Sequence, residues 1–147
     1  MKKVIFNFLA LFLCCGMAIG QTTKLTPDRV SDLGIGVRTS SDVDLLKDNQ
    51  PRSFYQSKTN SAAIIFEYNV PVKATYYTLT SADVTINSDP KQWVLKASID
   101  GKNWQIVAEE KIRAFRSPHE AGMIGKCRFL RVHILEGTPG IWEMKFY

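Results

Sequence analysis

From residue 62 onward the chain alternates between short β-prone runs and turn-forming breaks. No stretch carries apolar residues at the i, i+3, i+4, i+7 spacing of an amphipathic helix. Residues 62–68 (AAIIFEY), 72–80 (VKATYYTLT), 93–99 (WVLKASI), 104–108 (WQIVA), 127–135 (CRFLRVHIL) and 141–147 (IWEMKFY) are rich in β-branched and aromatic types. The breaks at 69–71 (NVP), 100–103 (DGKN) and 136–140 (EGTPG) hold the residues that turns prefer. Many short strands parted by turn signals predict an all-β sandwich or barrel. The segment 24–60 is polar and loop-like, with a weaker strand signal near 34–39 and a short helical turn over 43–48.

The sharpest local feature is the hairpin 93–106, WVLKASIDGKNWQI. Gly101 accepts positive φ, and Asp100 can hydrogen-bond to backbone two residues on, so Asp-Gly makes a strong turn pair. Trp93 and Trp104 flank the tip and are expected to pack as scaffold rather than face a ligand.

The first 20 residues have their own logic. Lys2 and Lys3 precede a 16-residue apolar stretch, 4–19, shorter than the roughly 20 residues that span a bilayer. Ala18, Gly20 and polar Gln21 then form a cleavage-like end, so residues 1–20 are expected to be a secretory signal peptide and 21–147 one domain. The protein is then secreted, periplasmic or on the cell surface. Lipidation at Cys14 or Cys15 is the rival reading, disfavoured because Leu13 rather than a small residue precedes Cys14. Cleavage removes Lys2 and Lys3 and takes the formal net charge from +5 to +3. No basic run forms a nucleic-acid stripe. Only Cys127 survives, so no disulfide can close a loop, and a buried, inert thiol is expected there.

Catalytic signatures are missing. There is no nucleophile elbow, no H-E-x-x-H and no Gly-rich phosphate loop. Nothing singles out two carboxylates facing one cleft, as a glycosidase requires. His133 reads as a half-exposed strand residue beside Arg131, and His119 as part of the loop 116–120 (RSPHE). The chain reads as a non-enzyme.

Five blocks in order carry a family resemblance: 46–55 (LKDNQPRSFY), 78–82 (TLTSA) with 89–93 (DPKQW), 98–104 (SIDGKNW), 129–132 (FLRV) and 142–147 (WEMKFY). Together they resemble the coagulation factor V/VIII type C (discoidin-like) domains, and among these the bacterial family 32 carbohydrate-binding modules. The resemblance implies a jelly-roll β-sandwich of the galactose-binding type. Asn49 stands where the family usually has Gly, Ser53 replaces Thr, and Tyr55 replaces Trp as a core ring. Asn tolerates the left-handed region, so the turn can survive.

Further expectations rest on that resemblance. A structural Ca²⁺ would be held by Asp48, the carbonyl of Gln50, Ser53 and Glu143, against the plainer reading that Asp48 caps a turn and Glu143 is a surface strand residue. The leading function is carbohydrate binding, with a protein–protein adhesion module of the same fold as the alternative. A sugar site needs rings and hydrogen-bonding groups. Trp142, Phe115 and Tyr68 could supply the first, and Asn87, Arg113 and His119 the second; the 113–119 loop is chosen on composition. The expected partner is a glycan or a surface protein, not nucleic acid. Membrane contact is not expected, since only Ala114-Phe115 between Arg113 and Arg116 has an apolar spike with basic neighbours.

Overall fold

A computed structural model describes residues 23–33, 44–50, 53–57, 61–82, 89–112, 118–137 and 140–147, the side chains of Met123, Ile124 and Trp142 excepted. Residues 1–20, expected to be a signal peptide, and the strand signal at 34–39 lie outside these residues. Seven strands form: β1 (Arg29–Asp32), β2 (Tyr55–Gln56), β3 (Ala62–Ser81), β4 (Gln92–Ser98), β5 (Gln105–Lys111), β6 (His119–Glu136) and β7 (Gly140–Phe146). All pairings are antiparallel. The architecture is the all-β sandwich that the strand pattern and the resemblance lead one to expect.

Two long strands serve both layers. The first part of β3 pairs with β1 and with the second half of β6, and β6 continues to β4 and β5. The last part of β3 pairs with the start of β6 and with β7, which carries β2 on its far edge. The crossing lies where β3 holds Asn69-Val70-Pro71. There the register jumps between Glu67 and Val72, leaving extra residues on β3, and it shifts again between Ala74 and Tyr76. Sequence reading splits β3 at Pro71; the structure bends it there, because a proline lacks only its own N–H and a bulge has no ladder bond to lose. Asp28 secures the bend by accepting the Asn69 backbone N–H and side-chain Nδ2–H, each at 2.7 Å.

Burial follows the pleat. Ala62, Ile64, Phe66 and Tyr68 point inward on the first half of β3, and Tyr77, Leu79 and Ser81 on the second. Ala74 keeps the even phase, and the change to odd positions falls between Ala74 and Tyr77, at the second register shift. Trp93 and Leu95 from β4, Leu130, Val132 and Ile134 from β6, and Ile141 and Phe146 from β7 complete the core. Phe66 and Phe146 meet edge to face at 5.0 Å between centroids and join the two layers. Each such fully buried side chain contributes about 1.5–3 kcal/mol relative to leaving it exposed, and among the described residues no disulfide adds to the core. Cys127 is a free, fully buried thiol, as expected.

Two strands exceed their sequence reading. β6 begins at His119 rather than near 127, and β5 reaches Lys111. Gly122, Gly125 and alternating polar residues mask strand character in that stretch. β1 is hidden for a different reason, since only Val30 of its four residues is buried. The helical turn expected over 43–48 is a short 3-10 turn, Asp44–Leu46, anchored by the fully buried Leu46.

Candidate functional site

The segment after the 3-10 turn folds around Asp48. Its Oδ1 accepts the Gln50 backbone N–H at 2.8 Å, and its Oδ2 accepts the Ser53 hydroxyl at 2.6 Å. The Ser53 hydroxyl also lies 3.1 Å from the Gln50 carbonyl, which accepts the Ser53 N–H at 3.3 Å. Asn49 has φ 57°, the left-handed conformation its position demands. Asp48, Gln50 and Ser53 are thus brought together in one turn, with Asp48 as its cap.

Glu143 approaches the same loop from β7. Its side chain is 19 % exposed and sits between two ammonium groups: Lys145 Nζ is 2.5 Å from Oε2 and Lys24 Nζ is 3.6 Å from Oε1. Oε1 is buried and accepts no hydrogen bond among the described residues. Lys24 Nζ also donates to Asn49 Oδ1 at 2.5 Å. The link from loop to strand therefore runs through Lys24. Ca²⁺ needs six to eight oxygen ligands. Here the Asp48 oxygens and the Gln50 carbonyl already serve the turn, and both Glu143 oxygens face lysines. Among the described residues no group of three or more His, Cys, Asp or Glu could hold a metal ion. The arrangement fits one positive charge at the Lys24 position and does not fit Ca²⁺ beside it.

The second region is one end of the sandwich. The described residues that flank three segments meet there: 83–88 after β3, 113–117 after β5, and 138–139 between β6 and β7. These flanks are stitched together by backbone hydrogen bonds. Ala82 N–H donates to the Gly140 carbonyl, Lys91 N–H to that of Glu136, and Ile112 N–H to that of Lys91, each at 2.9 Å. Gly137 has φ 109°, and a Cβ built on it would stand 2.4 Å from the Asp89 carbonyl oxygen. Only glycine allows this close approach. Asn87, Arg113 and Phe115 lie outside the described residues. Trp142 is the extra residue at a bulge in β7, because Thr80 pairs with Glu143 while Ser81 pairs with Ile141. Its side chain is not among those described. Bulges of this kind are common next to binding sites.

His119 is the first residue of β6, paired with Leu79, rather than a loop residue. Its ring stands edge to face against Trp93 at 5.0 Å and tilts against Tyr77 at 6.4 Å. Nε2 lies 3.9 Å from a Glu110 carboxylate oxygen, and the side chain is 19 % exposed. His119 is therefore held on the aromatic core at the same end as the three segments. Tyr68, a candidate sugar-facing ring in the sequence, is buried at 2 % exposure near the bend. It cannot stack on a sugar. His133 lies on β6, half-buried, with its pKa lowered by burial and by the nearby Arg131 and Lys96 charges.

The hairpin tip lies at the opposite end. Asp100 Oδ1 accepts the N–H groups of Lys102 and Asn103 at 2.8 Å and the Ser98 hydroxyl at 3.0 Å, while Oδ2 accepts Asn103 Nδ2–H at 2.7 Å. Those bonds, led by the Asn103 N–H, hold its carboxyl well below the usual range. A hollow of about 290 Å³ opens beside it, lined by residues that include Ser98, Asn103, Gln105 and Lys126. Every polar atom of Asp100 is spent on the turn, so the tip is scaffold. Trp93 is fully buried, but Trp104 is only half-buried, with the Arg131 guanidinium 4.3 Å above its ring.

Sequence reasoning missed Lys24 and the Trp93–Tyr77–His119 cluster. Lys24 sits in a polar stretch with no pattern around it. The cluster joins residues from three strands, and only strand pairing shows it.

Comparison with family models and with curated proteins finds no match to this sequence. Solved structures do match. CpGH89CBM32-5 from Clostridium perfringens, a complex with GalNAc-β-1,3-galactose, is 14% identical over 85% of this chain and 99% of its own, with a TM-score of 0.72. A protein described as a glycoside hydrolase is 23% identical, with a TM-score of 0.71; the match covers 88% of this chain but 33% of that one. The F5/8 type C domain of a Bacteroides fragilis protein is 17% identical over 81% of this chain and 89% of its own, with a TM-score of 0.67. The chain therefore has the fold shared by the family 32 carbohydrate-binding modules and the factor V/VIII type C, discoidin-like domains.

Proposed function

We propose that this protein is a non-catalytic carbohydrate-binding module, exported by cleavage near Gly20 and acting outside the cytoplasm. The site lies at the end of the sandwich where the residues flanking 83–88, 113–117 and 138–139 meet. One observation carries the reading: the flanks of all three segments are pinned together at that end. A module of the same fold is in complex with GalNAc-β-1,3-galactose, which supports a galactose-type sugar as the ligand.

In this reading Trp142 and Phe115 supply rings for the apolar face of a sugar. Asn87 and Arg113 supply hydrogen bonds, and His119 completes the site from its seat on Trp93. A sugar site of this type needs only such a few convergent polar groups beside an apolar surface. The module binds and does not cleave. Matches to segments of longer glycoside hydrolases are consistent with binding modules that travel beside catalytic domains.

A glycan array probed with the exported protein tests the proposal. Binding to galactose- or GalNAc-terminated glycans is expected. A folded protein that ignores every glycan but captures a surface protein would replace this reading with the adhesion alternative. Intact mass of the exported protein tests the processing, with Gln21 expected as the first residue. Retention of 1–20, or added diacylglycerol, would overturn that part.

A further inference from the structure

The position that the family resemblance gives to Ca²⁺ is served in this structure by a cation of the chain's own. We propose that the Lys24 ammonium closes the 47–53 loop onto β7 in place of a metal ion, so that the fold is complete without calcium.

Three observations converge on it. First, Lys24 is delivered by fixed backbone: the next residue, Leu25, donates its N–H to the Phe146 carbonyl at 2.8 Å and packs against the core. Second, the loop presents an oxygen to it. Asn49 is held at φ 57°, and its Nδ2 lies 3.4 Å from the Lys47 carbonyl, which leaves Oδ1 facing Lys24 at 2.5 Å. Third, the strand presents a buried acceptor. Glu143 Oε1 makes no hydrogen bond among the described residues, and Lys24 stands 3.6 Å away.

Charge supports the assignment. The Glu143 carboxylate is already flanked by two ammonium groups, Lys24 and Lys145. A divalent ion added there would leave an excess of positive charge in a partly buried place, where screening by water is weak. Each Asp48 oxygen already accepts a hydrogen bond within the turn, from Gln50 N–H and from the Ser53 hydroxyl. An ammonium needs none of this, since it donates to Asn49 Oδ1 and stands within ion-pair distance of Glu143 Oε1. The result is a three-way clasp between the segment before β1, the loop before β2 and the last strand. It ties the start of the domain to its end, a task for which the single buried Cys127 is no use.

Wild-type protein and two variants, Lys24→Met and Lys24→Arg, test this. Melting temperature is read with excess chelator and with added Ca²⁺, and native mass spectrometry counts bound Ca²⁺. The wild type should melt alike in chelator and in Ca²⁺ and carry no stoichiometric ion. Lys24→Met should melt about 2–4 °C lower, the shift expected for losing one partly buried ion pair in a domain of this size. Lys24→Arg, which keeps the charge, should melt closer to the wild type. One Ca²⁺ per wild-type chain, or a chelator-dependent fall in its melting temperature, would overturn the proposal without any variant being needed. So would a Lys24→Met variant that melts with the wild type. Sugar binding enters none of these readouts, so the result stands apart from the function proposed above.

Discussion

Trp93 and Tyr77 share a hydrogen bond in the middle of the sandwich. The indole Nε1–H donates to the phenol oxygen at 2.9 Å, with both side chains fully buried. The bond joins β4 of one layer to the second half of β3 in the other, and His119 rests on both rings. Tyr77→Phe removes this acceptor from a buried donor while keeping the ring. Stability should fall by roughly 1–3 kcal/mol. Urea unfolding measures this, and an unchanged midpoint would deny the bond its role.

Buried ionisable groups set an alkaline limit. Burial pushes the Tyr77 phenol from its ordinary 10.0 up to about 12, against a smaller opposing effect of the Trp93 hydrogen bond. It pushes the Cys127 thiol from 9.0 up to about 11. Tyr68 is raised as well, by burial and by the nearby Cys127 and Asp28 charges. In each case the folded state holds its proton longer than the unfolded chain. The stability from this source is fully present below the unfolded values and is lost as pH rises through the folded ones. Unfolding midpoints should fall between about pH 9 and pH 12, and Cys127→Ala should flatten the first part of that fall. A midpoint constant across that window would contradict the placement of these groups.

The two tryptophans of the hairpin should separate. Trp93→Ala opens a cavity in the core and should cost roughly 3–5 kcal/mol. Trp104 is half-buried, lying under Arg131 and edge-on to Phe129 at 6.5 Å. Its truncation should cost less, about 1–2 kcal/mol, on the scale of a partly exposed ring with one cation–π contact. Trp93→Ala should also disturb the site end, because the His119 ring rests on Trp93, whereas Trp104→Ala, at the hairpin end, should not. Equal losses for the two variants would mean that Trp104 is core.

The fold was legible where a residue type has one strong preference. Asp100-Gly101 marked its turn, Asn49 its left-handed position and Tyr55 its core place. It was less legible where tertiary pairing decides. Pro71 looked like a strand end and proved to be a bend, because the broken ladder is absorbed by bulge residues. His119 looked like a loop residue from its neighbours Ser117 and Pro118, yet pairing with Leu79 makes it the start of β6. Of the loop, Asp48, Gln50 and Ser53 were easy to group in the sequence because they lie within six residues, and they share one hydrogen-bonded turn. The sequence could not show that a lysine more than a hundred residues from Glu143 would reach it, for that contact depends on the last strand closing against the segment before β1.

Calorimetric titration with a galactose- or GalNAc-terminated glycan tests the carbohydrate-binding proposal most directly. The wild type should bind, and Asn87→Ala and Arg113→Ala should each weaken binding by about 1–3 kcal/mol, the usual cost of a lost polar contact to a ligand. Both variants should keep their melting temperatures to within a degree or so, which separates a lost sugar contact from a loss of folding. A folded wild type that gives no heat at millimolar sugar, or variants that bind as tightly as it does, would contradict a glycan site at this end of the sandwich.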